Sequence, residues 1–306
     1  EYDLTYTMRS TDTYKENQKE RKELLLFNYE RGMVSQLRTR RTDALASDVK
    51  TDKFRENIGY SGQILKDTTK ERRNPSSGNF IDEKDTDGFT FNGASYNTNG
   101  YTFVGWQWKA NGGTTSSNSN GSITSTVQAN TTAGFSIVTY TGNGTDQATV
   151  GHGLGVKPAS IWIKCLQGDN WMIYHQQMNE GNSPEDFYME LNEGDSQKDD
   201  SRMMNDTAPT STVFSLRNDG STNSSGRTYM AYCFADVKGF SRSGNYTGNG
   251  NANGPYVFTG FKPKFILTKN RNRNENWTIH DNNMEAHYNP NKTKLLLNLE
   301  LPEEAL

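Results

Sequence analysis

Two sets of side chains in this sequence have types suited to chemistry: four histidines (His152, His175, His280 and His287) and the acidic run Glu193, Asp195, Asp199 and Asp200. A hydrolase needs a nucleophile beside a base, or paired carboxylates held on neighbouring strands. Only His175 and His280 fall at nearly equivalent places in the internal repeat described below, and no nucleophile elbow accompanies either. Each histidine therefore reads as structural. His152 lies in Gly151-His152-Gly153-Leu154-Gly155, which invites a phosphate-loop reading. Such a loop runs into a helix and carries Lys-Ser/Thr, whereas here Pro158 and an apolar strand follow, so a tight turn is the better reading. Clustered carboxylates suit calcium, but the acidic spacing is not that of an EF-hand, and a solvated loop is favoured. No Cys/His set has zinc spacing. Cys165 and Cys233 fall in predicted strands, and neither has a cysteine at the matching place of the other repeat. Buried apolar thiols follow from this, in a reducing compartment or a fold that does not rely on crosslinks. The sequence thus points away from an enzyme: no catalytic residue, metal or cofactor is expected.

The elements that would position these groups come in copies. Residues Tyr140 to Trp171 (YTGNGTDQATVGHGLGVKPASIWIKCLQGDNW) recur as Tyr246 to Trp277 (YTGNGNANGPYVFTGFKPKFILTKNRNRNENW). Both stretches open on Tyr-Thr-Gly-Asn-Gly, pass a Lys-Pro turn, enter an apolar run ending in Lys164 or Lys269, and close on Asn-Trp. Self-similarity at fixed spacing means a chain built from copies of one unit. A third, worn copy is expected at the N-terminus. Its Phe89-Thr90-Phe91 and Tyr101 to Trp108 (YTFVGWQW) mirror Val213 to Leu216 and Arg227 to Phe234 (RTYMAYCF).

The best-preserved unit reads as strands throughout. Phe135 to Thr141 alternates at period two, and Ser160 to Leu166 is bulky on both faces, as suits the interior of a layered sheet pair. Trp171 to His175, Val213 to Leu216 and Tyr229 to Asp236 complete it, and Asn179 to Ser201 reads as a polar excursion. Met230, Tyr232 and Phe234 form a large face opposite small Ala231 and Cys233, the pattern of packing between two layers. Expected boundaries are 1–110 for a divergent first repeat, 111–134 for a Gly/Ser/Thr/Asn linker, 135–240 for the second repeat, and 244–306 for a third lacking its closing strand pair. Weak helical character is read at Arg38 to Asp48 and Asp52 to Arg73, and a short helix or loop at Asp12 to Glu23. Starting on Glu1 and ending inside a repeat, the 306 residues are expected to be a segment of a longer polypeptide.

Composition agrees. Only 32% of residues are hydrophobic, against a usual value of about 45–50%. With 28 glycines and many Asn, Ser and Thr, the chain suits short strands joined by turns. No run approaches the roughly 18 apolar residues of a spanning helix, so no membrane is expected. Net charge is −3. Residues 1–80 hold 16 of the 33 basic residues against 13 acidic ones, a mixed-sign surface that argues against nucleic acid. The fold class expected is all-β: tandem two-layer β-sandwich repeats with a charged, less regular N-terminal third.

The repeated motif, with Asn205 to Leu216 (NDTAPTSTVFSL) and Tyr229 to Phe234 (YMAYCF), resembles a repeated β-domain of uncharacterised function in large virion proteins of marine tailed bacteriophages, many of them tail-fibre or other structural proteins. The resemblance is strong over about 85–300 and survives only as fragments, such as Tyr29 to Gly32, over 1–80. It implies no catalytic residues. What it does imply is a tail-fibre or appendage subunit, assembled in the host cytoplasm and residing in the virion. Partners would be other virion subunits, further copies of the chain in a homotrimer, and the host surface. A carbohydrate-binding array taking a surface glycan and a capsid-decorating fibre are the alternatives.

Overall fold

The computed structural model describes residues 33–35, 80–84, 89–92, 99–100, 103, 105–110, 115–282, 293–299 and 304–305. The expected segments Asp12 to Glu23, Arg38 to Asp48 and Asp52 to Arg73, and His287, lie outside the described residues, as does most of 1–80. The chain is all-β. Its strands are β1 (Met33–Ser35), β2 (Phe80–Lys84), β3 (Phe89–Asn92), β4 (Trp106–Trp108), β5 (Ser116–Asn118), β6 (Ser125–Asn130), β7 (Phe135–Thr141), β8 (Ala148–Gly151) and β9 (Ser160–Cys165). There follow β10 (Trp171–His175), β11 (Phe187–Glu190), β12 (Lys198–Asp199), β13 (Val213–Leu216), β14 (Thr228–Phe234), β15 (Phe265–Thr268), β16 (Thr278–Asp281), β17 (Thr293–Leu296) and β18 (Glu304–Ala305).

One eight-stranded antiparallel sheet, ordered β12-β11-β10-β9-β14-β7-β6-β5, organises the rest. Its last strand in sequence, β14, lies at the centre, between β9 and β7. Because successive side chains alternate faces, β9 feeds two cores. Ile161, Ile163 and Cys165 join a cluster with Tyr140, Tyr229, Ala231 and Cys233, covered by the β8–β13 ribbon through Val150, Phe214 and Leu216 and by Met203 and Met204. Trp162 and Leu166 face the other way, with Phe135, Ile137, Trp171, Ile173, Met189 and Met230. Trp108, Trp277, Leu267 and Leu297 close that second face. The large-against-small faces of β14 thus separate two cores, as its sequence requires.

The linker expected over 111–134 is corrected: it supplies β5 and β6, which extend the sheet beyond β7. Gly/Ser/Thr/Asn content suggested looseness, yet Val127 and Ala133 are buried, and β-branched Thr126 and Val127 suit a pleated strand. Gly153 shows how closely this extension packs. Its φ is +73°, and a Cβ there would stand 2.8 Å from Val127 Cγ1. The polar excursion Asn179 to Ser201 also hides structure, namely β11, with Tyr188, Met189 and Leu191 buried between acidic flanks.

The four-stranded sheet β15-β16-β17-β18 reproduces β9 to β12 residue for residue. Met172↔Ile163 and Ile173↔Trp162 in one sheet become Thr278↔Thr268 and Ile279↔Leu267 in the other. Phe187↔Asp199 likewise becomes Thr293↔Ala305. The hydrogen bonds recur as well. Trp171 N–H donates to Asn192 Oδ1 at 2.8 Å, and Trp277 N–H to Asn298 Oδ1 at 2.9 Å. Asn192 Nδ2 donates to Asn170 Oδ1 as Asn298 Nδ2 does to Asn276 Oδ1. Lys164 Nζ reaches the Gly168 and Asp169 carbonyls, and Lys269 Nζ reaches Asn270 and Glu275. The Lys…Asn-Trp signature is therefore the fastening of one hairpin, used twice.

Candidate functional site

The histidines serve the main chain. His152 is wholly buried; Leu154 N–H donates to its Nδ1 at 3.2 Å, and Nε2 lies 3.3 Å from Thr210 O, to which it donates. Burial pushes its pKa down, opposed by the bond to Thr210. His175 accepts Gln177 N–H at 3.1 Å. Burial holds its pKa at about 4, with Asp236 working upward and Arg271 downward. His280 Nδ1 lies 3.1 Å from Thr293 O.

The acidic run is divided among separate partners. Glu193 Oε1 accepts from Asn192 Nδ2, Asp195 pairs with Lys198 at 2.9 Å, and Asp200 takes both Nε and Nη2 of Arg202. Asp199 is an exposed residue of β12. Among the described residues no three acidic, His or Cys side chains gather as a metal site would require. Glu190, nearly buried, receives Lys198 Nζ at 2.6 Å and Asn170 Nδ2 at 2.9 Å. Lys198 and Arg202 both stand over the Tyr188 ring, at 5.8 and 5.4 Å. Lys164 is buried, which lowers its pKa to about 8 against the pull of Cys165 and Asp169. With its ammonium fixed on two carbonyls, it is a fastening and not a free nucleophile.

The feature that stands apart is the Tyr-Thr-Gly-Asn-Gly loop of the third unit, from Tyr246. In the second unit this loop is covered. Tyr140 stacks on Tyr229 at 5.2 Å, packs edge-on to Phe214, and donates its hydroxyl to Thr222 O at 2.7 Å. Asn223 clamps the turn, accepting Asn143 N–H and donating to Asn143 Oδ1 and Thr145 O. Gly142 must be glycine here, because a Cβ would come within 2.4 Å of Ser224 O. In the third unit the matching segment lies at the surface. Tyr246 is 56% exposed, Tyr256 89%, Val257 43% and Phe258 75%. Asn249 shapes its tip, accepting Asn251 N–H and donating to Asn253 O. Monomer surfaces scatter single apolar residues, but three exposed in succession, Tyr256, Val257 and Phe258, with Tyr246 in the same segment, are a candidate for recognition. Aromatic faces beside amides can stack on a sugar or on another protein's side chains.

The sequence reading singled out the Tyr-Thr-Gly-Asn-Gly motif of both units but assigned Tyr246, Tyr256 and Phe258 no role. The available signal was the replacement of Gly151 to Gly155 by Val257-Phe258-Thr259-Gly260, which puts bulk where the other unit has turn glycines. One domain family, described as a domain of unknown function (DUF7483), matches residues 11–305. No curated protein and no solved structure matches the chain.

Proposed function

We propose that this chain, which belongs to the DUF7483 family of unknown function, is a non-catalytic structural subunit of a phage virion, of tail-fibre or appendage type. It takes part in assembly as an oligomer, a homotrimer, and contributes to attachment at the host surface. The observation that carries this reading is the exposed run Tyr246, Tyr256, Val257 and Phe258 on an otherwise self-fastened β-scaffold. A soluble monomer gains nothing from such a patch, whereas a particle subunit uses it against a neighbour or a receptor. The likeness of the repeated motif to virion β-domains supports the same reading. So does a core that buries both cysteines unpaired and so needs no oxidising compartment for its assembly.

The test uses purified particles and the recombinant chain. Mass spectrometry is expected to find the subunit in the virion. The recombinant chain is expected to compete with particles for adsorption, with Tyr256→Ser plus Phe258→Ser weakening that competition about tenfold. Absence from the particle overturns the structural reading. Unchanged competition by the double variant overturns the assignment of the loop. A glycan-binding role is the second reading, favoured by the amide-rich turn at Asn249 in the same exposed segment as Tyr256 and Phe258. It predicts glycan-array signals that the same double variant abolishes.

A further inference from the structure

We infer that β4 is the missing edge neighbour of β15, so that the short β1–β4 ribbon and the four-stranded sheet close into one second sheet drawn from both flanks of the chain. This stands apart from the functional reading and needs none of it.

The strand orders carry the argument. In the large sheet the sequence of neighbours runs β12-β11-β10-β9-β14-β7. The four-stranded sheet repeats β12 to β9 as β18-β17-β16-β15 and stops at β15. The strand wanted next is one of β14 type, followed by one of β7 type. The β1–β4 ribbon is that pair. Trp106, Gln107 and Trp108 stand at the places of Tyr232, Cys233 and Phe234, and Gly100, at φ +83°, stands at the place of Gly226, at φ +77°. Met33, Val34 and Ser35 pair with Trp108, Gln107 and Trp106 as Phe135, Ser136 and Ile137 pair with Phe234, Cys233 and Tyr232.

The ribbon is also in the right place. The Trp106 and Trp108 rings lie 5.6 and 6.0 Å from that of Phe265 in β15, and Trp106 Nε1 donates to Asp281 Oδ2, in β16, at 3.0 Å. Both pieces cover the same face of the large sheet, Trp108 meeting Phe135 and Phe234 while Trp277 and Leu267 join the same cluster. What they lack is the ladder between them. Phe-Ile-Leu-Thr is an apolar edge, with Ile266 42% exposed, unlike the polar outer strands β12 (Lys-Asp) and β5 (Ser-Ser-Asn) of the large sheet. An apolar edge invites pairing. The large sheet sets the register. Phe234↔Ser160, Cys233↔Ile161 and Tyr232↔Trp162 become Trp108 opposite Phe265, Gln107 opposite Ile266 and Trp106 opposite Leu267.

A disulfide trap reads this directly. In the full chain, Gln107→Cys with Ile266→Cys is oxidised under dilute conditions, with the fully buried native thiols kept and each single variant as control. The expected result is an intramolecular crosslink, seen as a faster-migrating monomer, formed about tenfold more readily than by the off-register pair Gln107→Cys with Thr268→Cys. A covalent dimer overturns the inference and gives the β15 edge to a second copy of the chain. No crosslink, or equal trapping by the two pairs, overturns it as well. Should the variants fail to fold, hydrogen exchange on the unaltered chain decides. Leu166 N–H donates to Thr228 O, so by alternation the Ser160 and Trp162 amides face β14, and those of their counterparts Phe265 and Leu267 point to the closing edge. Lys264 O accepts Asn282 N–H, which turns the Ile266 and Thr268 amides to β16. The Phe265 and Leu267 amides are expected to exchange at least about tenfold more slowly than those of the exposed Asn249 to Gly254 loop, and fast exchange overturns the closure.

Discussion

Trp277 ties the third unit to the large sheet, and its removal tests whether that tie is physical. The ring is 5% exposed and lies in the cluster of Trp171, Met189 and Leu191, and its Nε1–H donates to Glu190 O at 2.9 Å. An aromatic ring buries roughly 150–250 Å², about 4–6 kcal/mol at 25 cal/mol per Å² as an upper bound. Truncations of such residues to alanine cost about 3–5 kcal/mol. The hydrogen bond is separable. Trp277→Phe keeps most of the area and loses only the donor, and Glu190 O still accepts Glu193 N–H at 3.2 Å. That variant is therefore expected to lose only about 1 kcal/mol. Urea unfolding followed by far-UV circular dichroism measures both. Trp277→Ala is expected to lower the transition of the β15–β17 region by about 3–5 kcal/mol while the β7–β14 sheet keeps its own. A loss below about 1 kcal/mol for Trp277→Ala would refute the claim that this ring anchors one unit on the other.

Other outcomes follow from the same geometry. Asn192 holds Trp171 N–H and Asn170 Oδ1 while 6% exposed; Asn192→Ala is expected to cost about 1–3 kcal/mol in the same titration. Asn298→Ala breaks the matching bonds at a half-buried site and is expected to cost less; the reverse ranking counts against the hairpin argument. His175 has a folded pKa near 4, below its unfolded value of 6.5, so the unfolded chain binds the extra proton first. Stability is therefore full above about pH 6.5 and falls by up to about 3 kcal/mol as pH drops to 4. Denaturation midpoints across that window should flatten for His175→Gln, and an unchanged slope would assign the effect elsewhere. Burial pushes the Cys233 thiol up to about 12, and both cysteines are fully covered. Aromatic disulfide reagents are expected to label neither in the native protein and both in urea, and native labelling contradicts the core assignment.

The legible part of the fold was the part whose side chains alternate without interruption. Phe135 to Thr141, Trp171 to His175 and Val213 to Leu216 read as strands with the bounds they have, because each presents its own period. The strand Phe187–Glu190 was hidden because acidic and amide residues crowd both ends, though Tyr188 and Met189 are buried in the sheet. The Ser/Thr-rich stretch before Phe135 misled for the opposite reason. Its composition is that of a spacer, while its β-branched threonines and Val127 fit a sheet edge. The candidate site was illegible because the same motif is buried in one unit and exposed in the other. Tyr140 and Tyr246 share a motif, but Tyr140 lies in β7 and stacks on Tyr229 of β14, whereas Tyr246 lies outside any strand and is exposed.

The central place of β14 bears on how the chain is made. Strand Phe135–Thr141 leaves the ribosome nearly ninety residues before the strand that must slot in beside it, and Ser160–Cys165 waits for more than sixty. Until Thr228–Phe234 emerges, two apolar edges face each other across an empty lane, open to any passing nascent chain. Zippering from hairpin to hairpin cannot finish such a sheet, so maturation is expected to be slow, dependent on long-range encounters and most hazardous when many copies are synthesised side by side.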